Sequence, residues 1–104
     1  MTKKVYIIED DGLTSKMITK VIDTYFDDIE VIGSNQNGQS GVGECVKLNP
    51  DLAIVDIRLP DVNGLEILHI LKRRHPQMKV LIYSGILNLN AIKTRASRDG
   101  RRDN

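Results

Sequence analysis

A chain of 104 residues with 40% hydrophobic and 28% charged residues has the size and make-up of one globular domain, with a single core and little to spare. No apolar run approaches the roughly 20 residues of a membrane span, and the opening Met-Thr-Lys-Lys leads straight into an apolar strand pattern rather than a signal segment. The formal charge of +1 is uneven: residues 1–92 hold 10 Lys/Arg against 12 Asp/Glu and residues 93–104 hold 5 against 2, so the body lacks the basic footprint of a nucleic-acid binder.

Val5 to Ile8 reads as a buried strand, followed by the acids Glu9, Asp10 and Asp11. Leu13, Met17, Ile18, Val21, Ile22 and Tyr25 recur at helical spacing and predict a helix of about 12 residues, with Thr14 and Ser15 near its start. Glu30 to Gly33 predicts a short strand, and Asn37-Gly38 a turn after it. Val42, Cys45, Val46 and Leu48 mark a second helix, stopped by Asn49-Pro50. Cys45 is the one cysteine; it reads as core, and its inability to form an internal disulfide fits a reducing, cytoplasmic setting.

Leu52 to Ile57 is a continuous apolar run broken only by Asp56, as expected for a central strand covered on both faces. Gly64 opens a third helix with Leu65, Ile67, Leu68 and Leu71 inward, ending near His75-Pro76. His69 and His75 read as solvated helix residues. Val80 to Tyr83 predicts a fourth strand, Ser84-Gly85 a turn, and Leu89 and Ile92 the beginning of a fourth helix. From Thr94 the only apolar residue is Ala96, so the end of the chain cannot repay its ordering entropy and is expected to be disordered.

Alternating strands and helices with short connections imply right-handed βαβ units and a parallel, doubly wound α/β sheet. In the strand order 2-1-3-4 the first and third strands are neighbours, roughly 5 Å apart. Glu9, Asp10 and Asp56 would then crowd at one edge and raise each other's pKa. Either cluster alone reads better as helix caps or solvated loop acids. Both on neighbouring strand tips point to a pocket for a hard divalent cation, Mg2+. One carboxylate of such a pocket can act as nucleophile towards a phosphoryl group, and Ser84 is placed to donate a hydrogen bond to it.

The segments Ile7-Ile-Glu-Asp-Asp11, Pro50-Asp-Leu-Ala-Ile-Val-Asp-Ile-Arg-Leu-Pro-Asp-Val-Asn-Gly64 and Tyr83-Ser-Gly85 resemble the response-regulator receiver family of two-component signalling. With Val31-Ile-Gly-Ser34 and Asn37-Gly38, the chain most resembles receivers that precede a LuxR-type helix-turn-helix, over residues 3 to about 92. The resemblance implies a flavodoxin-like fold and a signalling domain rather than an enzyme. It implies that Asp56 accepts phosphate from a histidine kinase or phosphotransfer protein. Asp10 and Asp56 would bind Mg2+ with the backbone carbonyl of Arg58, while Glu9 would act mostly through water. Ser84 would be the switch hydroxyl, Asp11 a loop acid, and Pro60 and Gly64 would shape the loop after Asp56.

Two departures accompany the resemblance. The family carries a lysine and a switch aromatic on a fifth strand; here the lysine would lie beyond the last residue, Lys93 comes too soon after Ser84, and Tyr83 is not the switch aromatic. The sequence thus predicts a receiver over residues 1–93, cut short before the fifth strand and helix, and a basic tail over 94–104. Impaired phosphorylation is expected, together with weak stability or self-association through the open edge of the fourth strand. No DNA-binding element and no membrane contact is expected. The alternative is a phosphorylation-independent pseudo-receiver acting as an interaction domain. An aspartyl-phosphate hydrolase is disfavoured, because Arg58 stands where Asp-x-Asp chemistry needs its second acid.

Overall fold

The structure, a computed structural model, describes residues 2–84. The expectations for a fourth helix at Leu89 and Ile92, for the domain boundary at 93, for the absent fifth strand and for the disordered tail lie outside the described residues. Within them the order is β1 (Lys3–Ile8), α1 (Gly12–Tyr25), β2 (Ile29–Asn35), α2 (Gly38–Leu48), β3 (Leu52–Asp56), α3 (Gly64–Arg74) and β4 (Lys79–Tyr83). Every strand pairing is parallel and the sheet order is β2-β1-β3-β4, as the alternation predicts.

The central strands β1 and β3 are buried on both faces, which is why they read as unbroken apolar runs. The two-residue period sorts their side chains. Tyr6, Ile8, Ala53 and Val55 pack with Cys45 of α2 and Ile67 and Leu71 of α3 in one core. Val5, Ile7 and Ile54 face the other way and meet Ile22 of α1. The buried phenol of Tyr6 donates to Glu44 Oε1 at 2.5 Å, tying β1 to α2. Cys45 is core, as read, and burial pushes its thiol up to about 12.

Several local expectations change. Helix α1 forms, but Leu13 and Tyr25 are 72% and 75% exposed and Met17 and Val21 are half-exposed; the inward line is Ser15, Ile18, Thr19 and Ile22. Residues recurring every four positions drift around a helix of 3.6 residues per turn, so the 13-17-21-25 stripe cannot stay on the sheet. Leu65 is exposed for a related reason: it lies two positions before the buried Ile67, on the opposite side of α3. Strand β2 is longer than expected and carries an irregularity at Ile32, where pairing steps from Val5↔Val31 to Tyr6↔Gly33.

Asn37-Gly38 is not a free turn but the start of α2, with Asn37 Oδ1 accepting from the Ser40 amide at 2.9 Å. His75 is not a solvated helix residue: it follows α3, and its Nε2 lies 2.8 Å from the Val46 carbonyl oxygen, bridging α3 to α2. Helix α2 ends as Asn49-Pro50 predicts, with Asn49 in the left-handed region at φ 47°. A β-branched residue there meets its own carbonyl, so Asn49→Val is expected to cost about 1–2 kcal/mol in denaturant unfolding. Asn49→Gly should be neutral or better.

Register places the site. Ile8 pairs with Val55, so the next residues, Glu9 just past β1 and Asp56 at the end of β3, lie side by side at the sheet's carboxyl edge. Neighbouring β1 connects away to β2 on one side while β3 continues on the other, the switch point at which open α/β sheets place ligands.

Candidate functional site

At this edge the structure brings together the three acids expected to meet. One carboxylate oxygen from each of Glu9, Asp10 and Asp56 lies within 4.8 Å of the others. Glu9 and Asp56 are each only 2% exposed, whereas Asp10 is open to solvent. Buried carboxylates need partners. The Asp11 amide donates to Glu9 Oε2 at 2.9 Å, the Tyr83 hydroxyl donates to Glu9 Oε1, and the Arg58 amide donates to Asp56 Oδ1 at 2.8 Å.

None of these partners is a cation, and Glu9 and Asp56 titrate accordingly. Burial pushes the Glu9 carboxyl above its ordinary value, with the Asp56 charge adding to it, and the Tyr83 and Asp11 donors only partly offset this. Burial likewise raises Asp56; the nearby Asp10 raises it further, against the lowering effect of the Arg58 amide. The donor set is therefore all oxygen, negatively charged, partly dehydrated and short of counter-charge. Those are the properties a hard divalent ion of the Mg2+ type selects.

The loop after Asp56 is built tightly. Ile57 donates its amide to the Tyr83 carbonyl at 2.8 Å, so Ser84 starts beside the Asp56 edge, exposed to solvent. Arg58 and Asn63 form an isolated antiparallel bridge, and the Gly64 amide donates to Ile57 O at 3.1 Å. Gly64 is required by close approach: a Cβ there would lie 2.6 Å from both the Asp56 carbonyl oxygen and Ile57 Cα. Asn63 caps α3, accepting from the Leu65 amide at 2.7 Å. Leu59 is buried in the core while Pro60 is exposed at the loop surface.

Asp11 takes a separate part. It is the N-cap of α1, accepting from the Leu13 amide at 3.3 Å and the Thr14 hydroxyl at 2.6 Å, and the Thr14 hydroxyl chiefly holds its carboxyl below the usual range. Tyr83 is the residue that sequence reasoning passed over. Its position before Ser84 and opposite Asp56 in the β3–β4 register puts its hydroxyl within reach of Glu9. A cavity of about 420 Å³ lined by Lys3, Val5, Asp51, Leu52 and Lys79 lies at the opposite end of the strands, away from Glu9, Asp10 and Asp56. No helix among the described residues is long and apolar enough to cross a membrane.

Comparison with known proteins agrees with the geometry. The family model for the response regulator receiver domain matches residues 5–102. The chain is 31% identical over 91 residues to a protein-glutamate methylesterase/protein-glutamine glutaminase of Trichodesmium erythraeum, covering 88% of this chain and 26% of that protein. It is 31% identical over 87 residues to the response regulator protein VraR of Staphylococcus aureus, covering 84% of this chain and 41% of VraR. The chain thus spans well under half the length of these curated relatives.

Among solved structures, the response regulator domain of Thermotoga maritima CheB superposes with a TM-score of 0.72 at 26% identity, over 79% of this chain and 60% of that one. A LuxR-family DNA-binding response regulator of Staphylococcus aureus has the same fold, with a TM-score of 0.72 at 24% identity over 93% of this chain and 80% of that one. What the methylesterase shares with this chain is its receiver portion, so the likeness carries no catalytic activity across. The strand order, the acid-tipped switch point and a family match over nearly the whole length agree: the chain belongs to the response regulator receiver domains, signalling domains of two-component systems.

Proposed function

We propose that this receiver domain is a phospho-acceptor in which Asp56 takes a phosphoryl group from a phosphohistidine of a histidine kinase or phosphotransfer protein. The observation that carries the reading is the meeting of two buried acids and one exposed acid at the carboxyl edge of β1 and β3, with no cationic hydrogen-bond partner among the described residues. Glu9, Asp10, Asp56 and the Arg58 carbonyl are the groups proposed to hold Mg2+. Bound there, the ion would supply counter-charge for the phosphoryl oxygens.

The protein's own residues then do the following. Asp56 offers the carboxylate oxygen that attacks phosphorus; the P–N bond to the imidazole breaks, and the imidazole keeps the electron pair and picks up a proton. The Arg58 amide, already bonded to Asp56 Oδ1, orients the carboxylate so that its other oxygen is the one to react. Ser84 donates a hydrogen bond to a phosphoryl oxygen, drawing the end of β4 towards the site.

The test is incubation with a small acyl phosphate donor, with and without Mg2+, and borohydride trapping of the acyl phosphate. Label on Asp56 that requires Mg2+ is the expected result. A folded domain that acquires no label under any donor would move the reading to the phosphorylation-independent interaction domain.

A further inference from the structure

The loop between β3 and α3 is fastened at two places. Its base is closed by the Gly64–Ile57 hydrogen bond and the Arg58–Asn63 bridge. Its tip is fastened by Asp61, whose Oδ1 accepts from the Gly38 amide and whose Oδ2 accepts from the Gln39 amide, both at 2.9 Å. These are the first two amides of α2, which have no partner within the helix. The helix's own cap, Asn37, serves only the third, on Ser40. With no acidic residue in the first turn of α2, Asp61 brings the favourable negative charge from another part of the chain.

Packing reinforces the contact. A Cβ on Gly38 would press on Val62 Cγ1 and lie 2.9 Å from Asp61 Oδ1 and 3.2 Å from Leu59 Cδ1, so glycine at the helix start lets the loop approach closely. Leu59 is itself buried in the core shared by α2 and α3. The α2 amides, that of Gln39 foremost, hold the Asp61 carboxyl below the usual carboxylate range, so the latch carries its charge at neutral pH.

Arg58 belongs to the base fastening and leads towards the tip. Its amide donates to Asp56, and its carbonyl belongs to the proposed cation site. We propose that Asp61 is a positioning residue for the Asp56 pocket, latching the loop tip to the start of α2 and thereby fixing the backbone of Arg58. The geometry stands by itself; its bearing on phosphoryl uptake rests on the phospho-acceptor reading above. Without the latch the segment keeps its base, the Arg58 amide's bond to Asp56 and the burial of Leu59, but its tip is released and the Arg58 carbonyl is held less firmly towards the cation.

The experiment compares the full 104-residue chain with Asp61→Ala and Asp61→Asn. Three quantities are read: Mg2+ affinity by amide shift titration, hydrogen exchange of the Arg58 and Gly64 amides, and the thermal midpoint. Asp61→Ala is expected to weaken Mg2+ binding about tenfold, in line with other outer-shell supports of metal sites, and to speed exchange of both amides. Asp61→Asn, which keeps one acceptor, should fall between, and it carries the comparison if the alanine variant does not fold. A lower midpoint with Mg2+ affinity unchanged would mean that Asp61 only caps α2, and would overturn the proposal. If the wild-type chain itself binds no Mg2+, the phospho-acceptor reading fails separately; the latch is then decided by exchange at Arg58, which supports it if faster and overturns it if unchanged.

Discussion

Asp56→Asn is expected to abolish acyl phosphate formation and, in the same protein, to raise the thermal midpoint measured in EDTA at neutral pH. The two effects have one origin. Asp56 is buried beside Glu9 and Asp10 and, among the described residues, gains a single amide hydrogen bond in return. Asparagine keeps an acceptor for the Arg58 amide and removes one of three like charges. Relief of a buried, unpaired charge is worth on the order of 1 kcal/mol or more.

The sign with pH follows from the direction of the shifts. Both Glu9 and Asp56 titrate above their ordinary values in the metal-free fold. Between the unfolded carboxylate values and these raised ones the folded state binds more protons than the unfolded, so stability falls as pH rises through that window. Wild-type protein in EDTA should therefore lose midpoint temperature across it, and Asp56→Asn should lose less. Mg2+ at ten times its dissociation constant should restore about 1.4 kcal/mol to the wild type at neutral pH and less to the variant. Equal pH slopes for the two proteins in EDTA would contradict the account.

Gly64→Ala is the second large effect. The added methyl would meet the Asp56 carbonyl oxygen and Ile57 Cα at 2.6 Å, and these are backbone atoms of the strand end, with no rotamer to turn away. Either α3 shifts outward or the acceptor strand is displaced. Overpacking of this kind costs about 1–3 kcal/mol, which denaturant unfolding would register. Because the displaced atoms belong to Asp56 and its successor, Mg2+ affinity and phosphoryl uptake should fall beyond what the stability loss explains. A variant of wild-type stability and wild-type Mg2+ affinity would show that the helix moves freely.

Much of this was legible in the chain. The four strand runs and three helix patterns fix the alternation, short connections fix its handedness, and the order 2-1-3-4 then brings Glu9, Asp10 and Asp56 together. What escaped has physical reasons. Helical spacing at Leu13, Met17, Val21 and Tyr25 says that a helix forms but not which side meets the sheet, and the side chosen is lined by Ser15 and Thr19. The link from His75 to Val46 joins residues 29 apart, and that from Asp61 to Gly38 joins residues 23 apart, so no local pattern encodes either. A hint for Asp61 lay in α2, whose first turn contains no acid to complement its dipole. Tyr83 was discounted as a switch aromatic on the basis of its position, and that position is what lets it reach Glu9.

Placing β1 in the middle of the sheet has a consequence for synthesis. As the chain leaves the ribosome, β1 finds one neighbour in β2 soon afterwards, but its other partner arrives only with residues 52–55. Until then a row of unpaired amides and carbonyls flanks some of the most apolar side chains in the protein. Productive collapse of this domain therefore waits for β3 to emerge, and the closing of that long loop is the step expected to set the pace of folding. Slowed elongation before codon 52 should thus lengthen the exposure of the nascent chain to chaperones and proteases, whereas a pause after β3 has emerged should shorten it.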